Sequence, residues 1–228
     1  MKFALSIIAL IVAALVIPFL LPGTGKQAGV DPNANLPWQI ELDGKGGSAV
    51  FGLQPGVSTV GDVRKKLGAE IDLAIIAEPN EIGTLEGYYS QVALGFVLAK
   101  VIVTVDAKNE AILEMRERAL KAKHMESVTR KITLHPDDLL AIEKMAVKAI
   151  SVIPTVNLDE ETVTQRFGKP GERLVVSEKR VHLLYPDKGL DVVVDADGKE
   201  LMQYVAPRDF AVLREPLNHV DAEKRQQQ

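Results

Sequence analysis

The chain has 228 residues, 46% of them hydrophobic and 25% charged, with a formal net charge of −4; this is an ordinary globular composition, long enough for one large domain or two small ones, and it excludes wholesale disorder. No basic stripe stands out against the acidic balance, which argues against nucleic acid as a partner. Cysteine is absent, which excludes a disulfide framework, a thiolate nucleophile, Cys-ligated zinc and an acylated lipoprotein cysteine.

Residues 3–21 are apolar apart from Ser6, and roughly 19 residues at about 1.5 Å each span about 28 Å, close to the hydrocarbon thickness of a bilayer. The expectation is a transmembrane signal anchor over residues 1–21. Lys2 and the free amino terminus then favour a cytoplasmic N-terminus and a periplasmic C-terminal domain, a single-pass protein of the bacterial inner membrane that contacts lipid through residues 3–21. The alternative is secretion after signal cleavage, for which Gly23-Thr-Gly25 is a poor small-x-small site. Residues 22–35, rich in glycine, proline and asparagine, predict a flexible linker.

From Trp38 the pattern alternates apolar and polar to Leu42, crosses turn chemistry at Asp43 to Gly47 and returns over 48–53, which predicts a hairpin. Gly44 to Gly47 lack the Gly-Lys-Ser/Thr ending of a phosphate loop and no helix follows directly. A short helix capped at Ser58 or Thr59 ends at Gly68; strands follow over 71–77, 84–90 and 97–105, the last dense in β-branched residues. Residues 136–150 read as the clearest helix, with Pro136 in the first turn, Asp137 and Asp138 behind it, and an apolar face of Leu139, Ile142, Met145, Val147 and Ile150. A second short helix ends at Gly168, and strands over 174–177, 181–185, 190–195 and 200–205 form a meander. Residues 207–216 make a closing turn or short helix, and 217–228 a polar tail.

The two short helices match. Val63 corresponds to Val163, Leu67 to Phe167 and Gly68 to Gly168, so each puts apolar residues at i and i+4 and a glycine just past its end. Residues 103–113 parallel 192–202 in the same way, with Lys108-Asn109 standing where Asp197-Gly198 marks a hairpin. That parallel makes 112–118 a strand even though local propensity favours helix there. The expected fold class is α+β: an N-terminal transmembrane helix, then two tandem units, 36–134 and 135–216, each of helices packed on an antiparallel β-meander. Gly68 and Gly168 are expected to be helix C-terminal glycines in left-handed conformation.

The pattern of Val163, Phe167, Gly168 and Pro170 followed by a meander resembles the SmpA/OmlA-type (BamE-like) envelope proteins, which help assemble outer-membrane proteins. The tandem arrangement is also similar to the β-lactamase inhibitor protein fold. The second unit fits better than the first, where Ala69 and Glu70 replace the x-Pro. The lipobox cysteine of the first family and the cysteines of the inhibitor are both missing, so an outer-membrane lipoprotein role does not carry over. What the resemblance implies is an envelope protein partner.

Of the four histidines, His124, His135, His182 and His219, none forms a metal-binding pair or sits in a hydrolase or kinase motif. His135 is placed to cap the helix after it, and His182 alternates with Val181 and Leu183 on a strand. Asp191, Asp195 and Asp197 lack both end ligands of a calcium loop, since Val193 and Tyr204 stand there. Nothing calls for a cofactor or metal. Trp38, Tyr88, Tyr89, Tyr185 and Tyr204 all fall on or beside strands; core packing accounts for such residues, and on an open sheet they are also the anchors an interface uses. The reading is a membrane-anchored, periplasmic protein-binding or envelope-assembly module without catalysis, those five aromatics being its contact candidates. The alternative is an envelope hydrolase or small-ligand-processing enzyme with dispersed carboxylates.

Overall fold

Alternation of buried and exposed side chains shapes the molecule, as β5 (Val97–Val105) shows: Val97, Ala99, Val101, Val103 and Val105 are buried while Leu98 and Lys100 between them are exposed. A period of two is the signature of a sheet that buries one face. The computed structural model describes residues 33–124 and 129–218. A first hairpin pairs β1 (Ile40–Leu42) with β2 (Ser48–Val50), and Asp43 accepts hydrogen bonds from the Lys45 and Gly47 amides at 2.7 and 2.8 Å to fix its turn.

The remaining strands form one ten-stranded antiparallel sheet. They are β3 (Asp72–Ala77), β4 (Thr84–Leu94), β5, β6 (Lys121–His124), β7 (Arg130–Thr133), β8 (Val147–Pro154), β9 (Glu172–Val175), β10 (Arg180–Tyr185), β11 (Leu190–Asp195) and β12 (Leu201–Val205). Their spatial order is β6-β7-β3-β4-β5-β8-β12-β11-β10-β9. Among the described residues five short α-helices accompany them: α1 (Val60–Leu67), α2 (Asn109–Glu117), α3 (Pro136–Ile142), α4 (Glu160–Phe167) and α5 (Ala211–Arg214). The inner face carries the main core, where Val60 and Val63 of α1 and Val163 and Phe167 of α4 meet Val101, Val103, Val152, Val192 and Tyr204. On the outer face a smaller core joins Leu174, Leu184 and Val205 to Phe210 and Leu217 of the C-terminal segment.

Three expectations are corrected. The fold is not two helix-covered sheets: it is dominated by one continuous sheet with few helical residues, and its strand order reads symmetrically outward from the β8–β12 pair, β5-β4-β3 on one side and β11-β10-β9 on the other. The helix expected over 136–150 stops at Ile142. The Met145 and Glu143 carbonyls just past it accept from the Val60 and Gly61 amides that open α1, at 3.0 and 2.9 Å. The β-branched run behind it then becomes β8, paired on both sides by β5 and β12. The strand expected over 112–118 is instead the helix α2, because β8 already occupies the place beside β5 and leaves this segment to its local propensity.

The anchor expectation is corrected as well. Among the described residues no helix is long and apolar enough to cross a membrane, and residues 3–21 lie outside them, as do residues 22–32, His219 and the tail from 219 onward. A single-pass inner-membrane anchor, the periplasmic placement built on it and a lipid partner are therefore not supported.

Both helix-ending glycines have positive φ, but not the left-handed helical conformation expected of them. Gly68 lies at φ 117°, ψ 158° and Gly168 at φ 86°, ψ −175°, a region open essentially to glycine alone. Each carbonyl accepts a tyrosine hydroxyl from the second strand of its half: Tyr89 to Gly68 at 2.8 Å and Tyr185 to Gly168 at 3.0 Å. Around the position of a Gly168 Cβ the nearest neighbour is the Lys188 ammonium at 3.7 Å, so Gly168→Val is expected to lose about 1–3 kcal/mol through backbone strain. Urea titration measures it, and an unchanged midpoint would refute the assignment.

Candidate functional site

Across the outer face, register places one residue per strand directly opposite the next. Asp72, Tyr88, Ile102, Ser151, Gln203, Asp191, Leu184 and Glu172 follow one another from β3 to β9. The two halves of this row differ in cover. Over β9–β12 the C-terminal segment lies on it, pinned where Arg214 grips the Glu172 carboxylate with two nitrogens at 2.9 and 2.8 Å. Over β3–β5 none of Thr84, Glu86, Tyr88, Ile102 and Thr104 is buried, whereas Leu85, Tyr89, Val101 and Val103 on the inner face all are.

Two grooves result. The first, about 420 Å³, is lined by Tyr88, by apolar Ala74, Ile76 and Ile102, and by charged Asp72, Glu86 and Lys131. Lys131 pairs with Asp72, while Glu86 accepts from the Thr84 hydroxyl at 2.7 Å and has no cationic partner among the described residues. The second groove, about 770 Å³, lies where β5, β8 and β12 meet the C-terminal segment, and Thr104, Asp106, Lys148, Ser151, Gln203 and Arg208 are among its lining residues. Both volumes fall in the range of about 300–1,000 Å³ typical of ligand sites.

The structure separates the five aromatic candidates. Tyr88 is half-buried in the first groove. Trp38 is half-buried on the opposite side, 5.8 Å from the exposed Phe96 ring and 4.7 Å under the Arg166 guanidinium. Tyr89, Tyr185 and Tyr204 are corrected to core residues, because each lies on the inner face of its strand and spends its hydroxyl on a backbone carbonyl. They are not available as contacts.

Burial pushes the Tyr89 and Tyr185 hydroxyls up to about 12; at Tyr89, Arg64 pulls the other way and Glu143 adds to the rise. An acid whose folded value exceeds its ordinary value near 10 contributes stability that is complete below about pH 10 and is lost as pH climbs toward about 12. Urea midpoints should therefore fall across that window, and less steeply in the Tyr89→Phe/Tyr185→Phe double variant. An equal slope in both proteins would show that these hydroxyls are not the groups titrating.

Among the other polar candidates, His135 caps α3, accepting the Asp137 amide at 3.3 Å. Asp195 pairs with Arg180 at 2.7 Å and Asp197 with Lys179, so both are held in ion pairs across the hairpin, and no group of three metal-ligating side chains occurs among the described residues. His182 and Asp191 do come together, Nδ1 to Oδ2 at 2.8 Å on the outer face of β10–β11, with His182 9% and Asp191 1% exposed. Sequence reasoning passed over Lys148, Thr104, Ser151 and Gln203. The available signal was Ser151 and Gln203, each a lone polar residue in an otherwise apolar run, 149–153 and 201–205. No family model, curated protein or solved structure matches the chain.

Proposed function

We propose that this protein is a non-catalytic, protein-binding module that receives a segment of its partner in the first groove, with Tyr88 as the anchor. One observation carries the reading: the sheet is symmetric in strand order, and the chain's own C-terminal segment seats Phe210 and Leu217 on the outer face of one half while the corresponding half presents an open groove. A partner segment suited to that groove brings an apolar side chain to Ile76, Tyr88 and Ile102 and a lysine or arginine to the unpaired Glu86. The dispersed-carboxylate enzyme would need two acidic groups converging on a reacting atom; in this groove Asp72 is held by Lys131 and Glu86 by Thr84.

The test is a photo-crosslinking residue at position 102 in intact cells, with position 140 on exposed Leu140 as the comparison. A partner captured from 102 but not from 140 should be lost in Glu86→Lys, and Tyr88→Ala should weaken its binding by about 2 kcal/mol or more, roughly thirtyfold. Thermal melting establishes that both variants remain folded. The same adducts from both positions, indifferent to both substitutions, would sink the proposal.

A further inference from the structure

The outer face repeats itself about its centre, where Ser151 of β8 stands opposite Gln203 of β12. Moving outward, Tyr88 and Asp72 on one side hold the places of Leu184 and Glu172 on the other. The correspondence is fixed independently by the helix-ending glycines. Asp72 and Glu172 each lie four residues past one of them, and Tyr89 and Tyr185, next to Tyr88 and Leu184, donate to the carbonyls of Gly68 and Gly168. One half shows what covers it. Residues 207–217 run as successive 3₁₀ and α turns. Phe210, Leu213 and Leu217 pack on the sheet and Arg214 reaches Glu172, while Val212 and Glu215 between them are exposed. That is the i, i+3, i+4, i+7 spacing of a helix laid in a groove, with three apolar anchors and one arginine.

In the open half Asp72 stands where Glu172 takes that arginine, and Ile102 stands beside Tyr88 where Asp191 stands beside Leu184. The open half thus offers a carboxylate in the same place and a more apolar floor. We propose that the partner segment received in the first groove is an amphipathic helix of this same pattern, its apolar anchors on Tyr88 and Ile102 and its arginine on Asp72; the inference rests on the docking reading above and names the chemistry of the partner. Lys131 has no counterpart in the covered half. It comes from β7, which pairs with β3, whereas β9 ends the sheet. Lys131 therefore holds the carboxylate that the arginine would take. A guanidinium can displace it, because its planar fork binds a carboxylate through two nitrogens where an ammonium is a single point charge. Glu86, in the same groove, adds a second negative charge that favours a cationic segment.

The probe is a labelled synthetic peptide with the sequence of residues 207–218, titrated against the full chain by fluorescence anisotropy. It should bind, and its Arg214→Gln version should bind about tenfold more weakly, the worth of one charged hydrogen bond. In the chain, Asp72→Asn should erase the difference between the two peptides. Lys131→Met should strengthen the arginine peptide alone, by about twofold to fivefold, the worth of the exposed pair it no longer has to break. Equal binding of the arginine and glutamine peptides, equal binding of a scrambled peptide of the same composition, or no binding up to about 1 mM would overturn the assignment. So would binding untouched by Tyr88→Ala, which would put the peptide on the covered half, and a dimer of the purified chain that Tyr88→Ala dissolves, which would give the groove to a second copy. A partner captured from position 102 that the peptide cannot displace would refute this pattern and leave the docking reading standing. If the peptide binds as expected and position 102 captures no partner in cells, the docking reading fails and the chemistry of the groove stands.

Discussion

Gly189→Ala should cost about 3 kcal/mol or more, the largest loss expected from a single added methyl group in this protein. Gly189 ends the 3₁₀ turn between β10 and β11 at φ 65°, ψ 34°, a left-handed conformation that side chains resist. A Cβ there would also lie 2.1 Å from the Val205 carbonyl oxygen and 2.9 Å from the Pro207 nitrogen. These are backbone atoms, fixed in turn by the Val205 amide, which donates to the Gly189 carbonyl at 2.8 Å. The neighbour cannot rotate aside, so strands β11 and β12 must part. Gly44→Ala is the control: Gly44 has φ 69° with nothing near its Cβ position, so it should show the backbone term alone, about 1 kcal/mol. Urea midpoints for the two variants read the difference, and a Gly189→Ala loss no greater than that of Gly44→Ala would show that the close approach is not rigid. Against a typical total of about 5–15 kcal/mol the expected loss is substantial.

What was legible in the sequence was local. Helices α1 and α4 announced themselves through a capping residue, an i, i+4 apolar pair and a terminal glycine, and the caps are present: Thr59 accepts the Asp62 amide and Asp159 the Thr162 amide. Strand β5 was equally clear, since it buries one face and alternates accordingly. Strand β8 was hidden because Leu139, Ile142, Met145, Val147 and Ile150 satisfy helical spacing, while the evidence for a strand lies in partners about fifty residues away on either side. The internal match misled at 112–118 for a related reason. It holds through three strands of each half, but the fourth strand of the first half is β8, reached only after residues 106–146 have intervened. Neither β6 nor β7 was anticipated; Lys121 to His124 and Arg130 to Thr133 carry few β-formers, and β7 is held by pairing to β3 while β6 is held by pairing to β7.

The candidate site was legible only in part. Tyr88 and Tyr89 are adjacent, and in a strand adjacent residues point to opposite faces; which of them faces outward depends on which face the helices cover, and that is a property of the assembled sheet. Sequence periodicity thus located side chains on strands, whereas the proposed docking groove is set by which face of each strand is left open.

Tyr204 should be the costliest aromatic to truncate. It is 1% exposed, meets Phe51 edge-on at 5.9 Å and 75°, and donates its hydroxyl to the Pro37 carbonyl at 3.0 Å, across 167 residues of sequence. Removing the ring leaves a cavity beneath the β1–β2 hairpin, and Tyr204→Ala is expected to lose about 3–5 kcal/mol. Tyr204→Phe keeps the ring and orphans the Pro37 carbonyl, for about 1–2 kcal/mol. The two variants also differ in where the loss falls. Trp38, the chain's one tryptophan, follows Pro37 directly, so its fluorescence reports the hairpin while circular dichroism reports the sheet. In Tyr204→Phe the tryptophan signal should change at lower urea than the ellipticity, because the tether at Pro37 is weakened while the ten-stranded sheet keeps its pairing. Coincident transitions at the unaltered midpoint would mean that the hydroxyl does not hold the hairpin down.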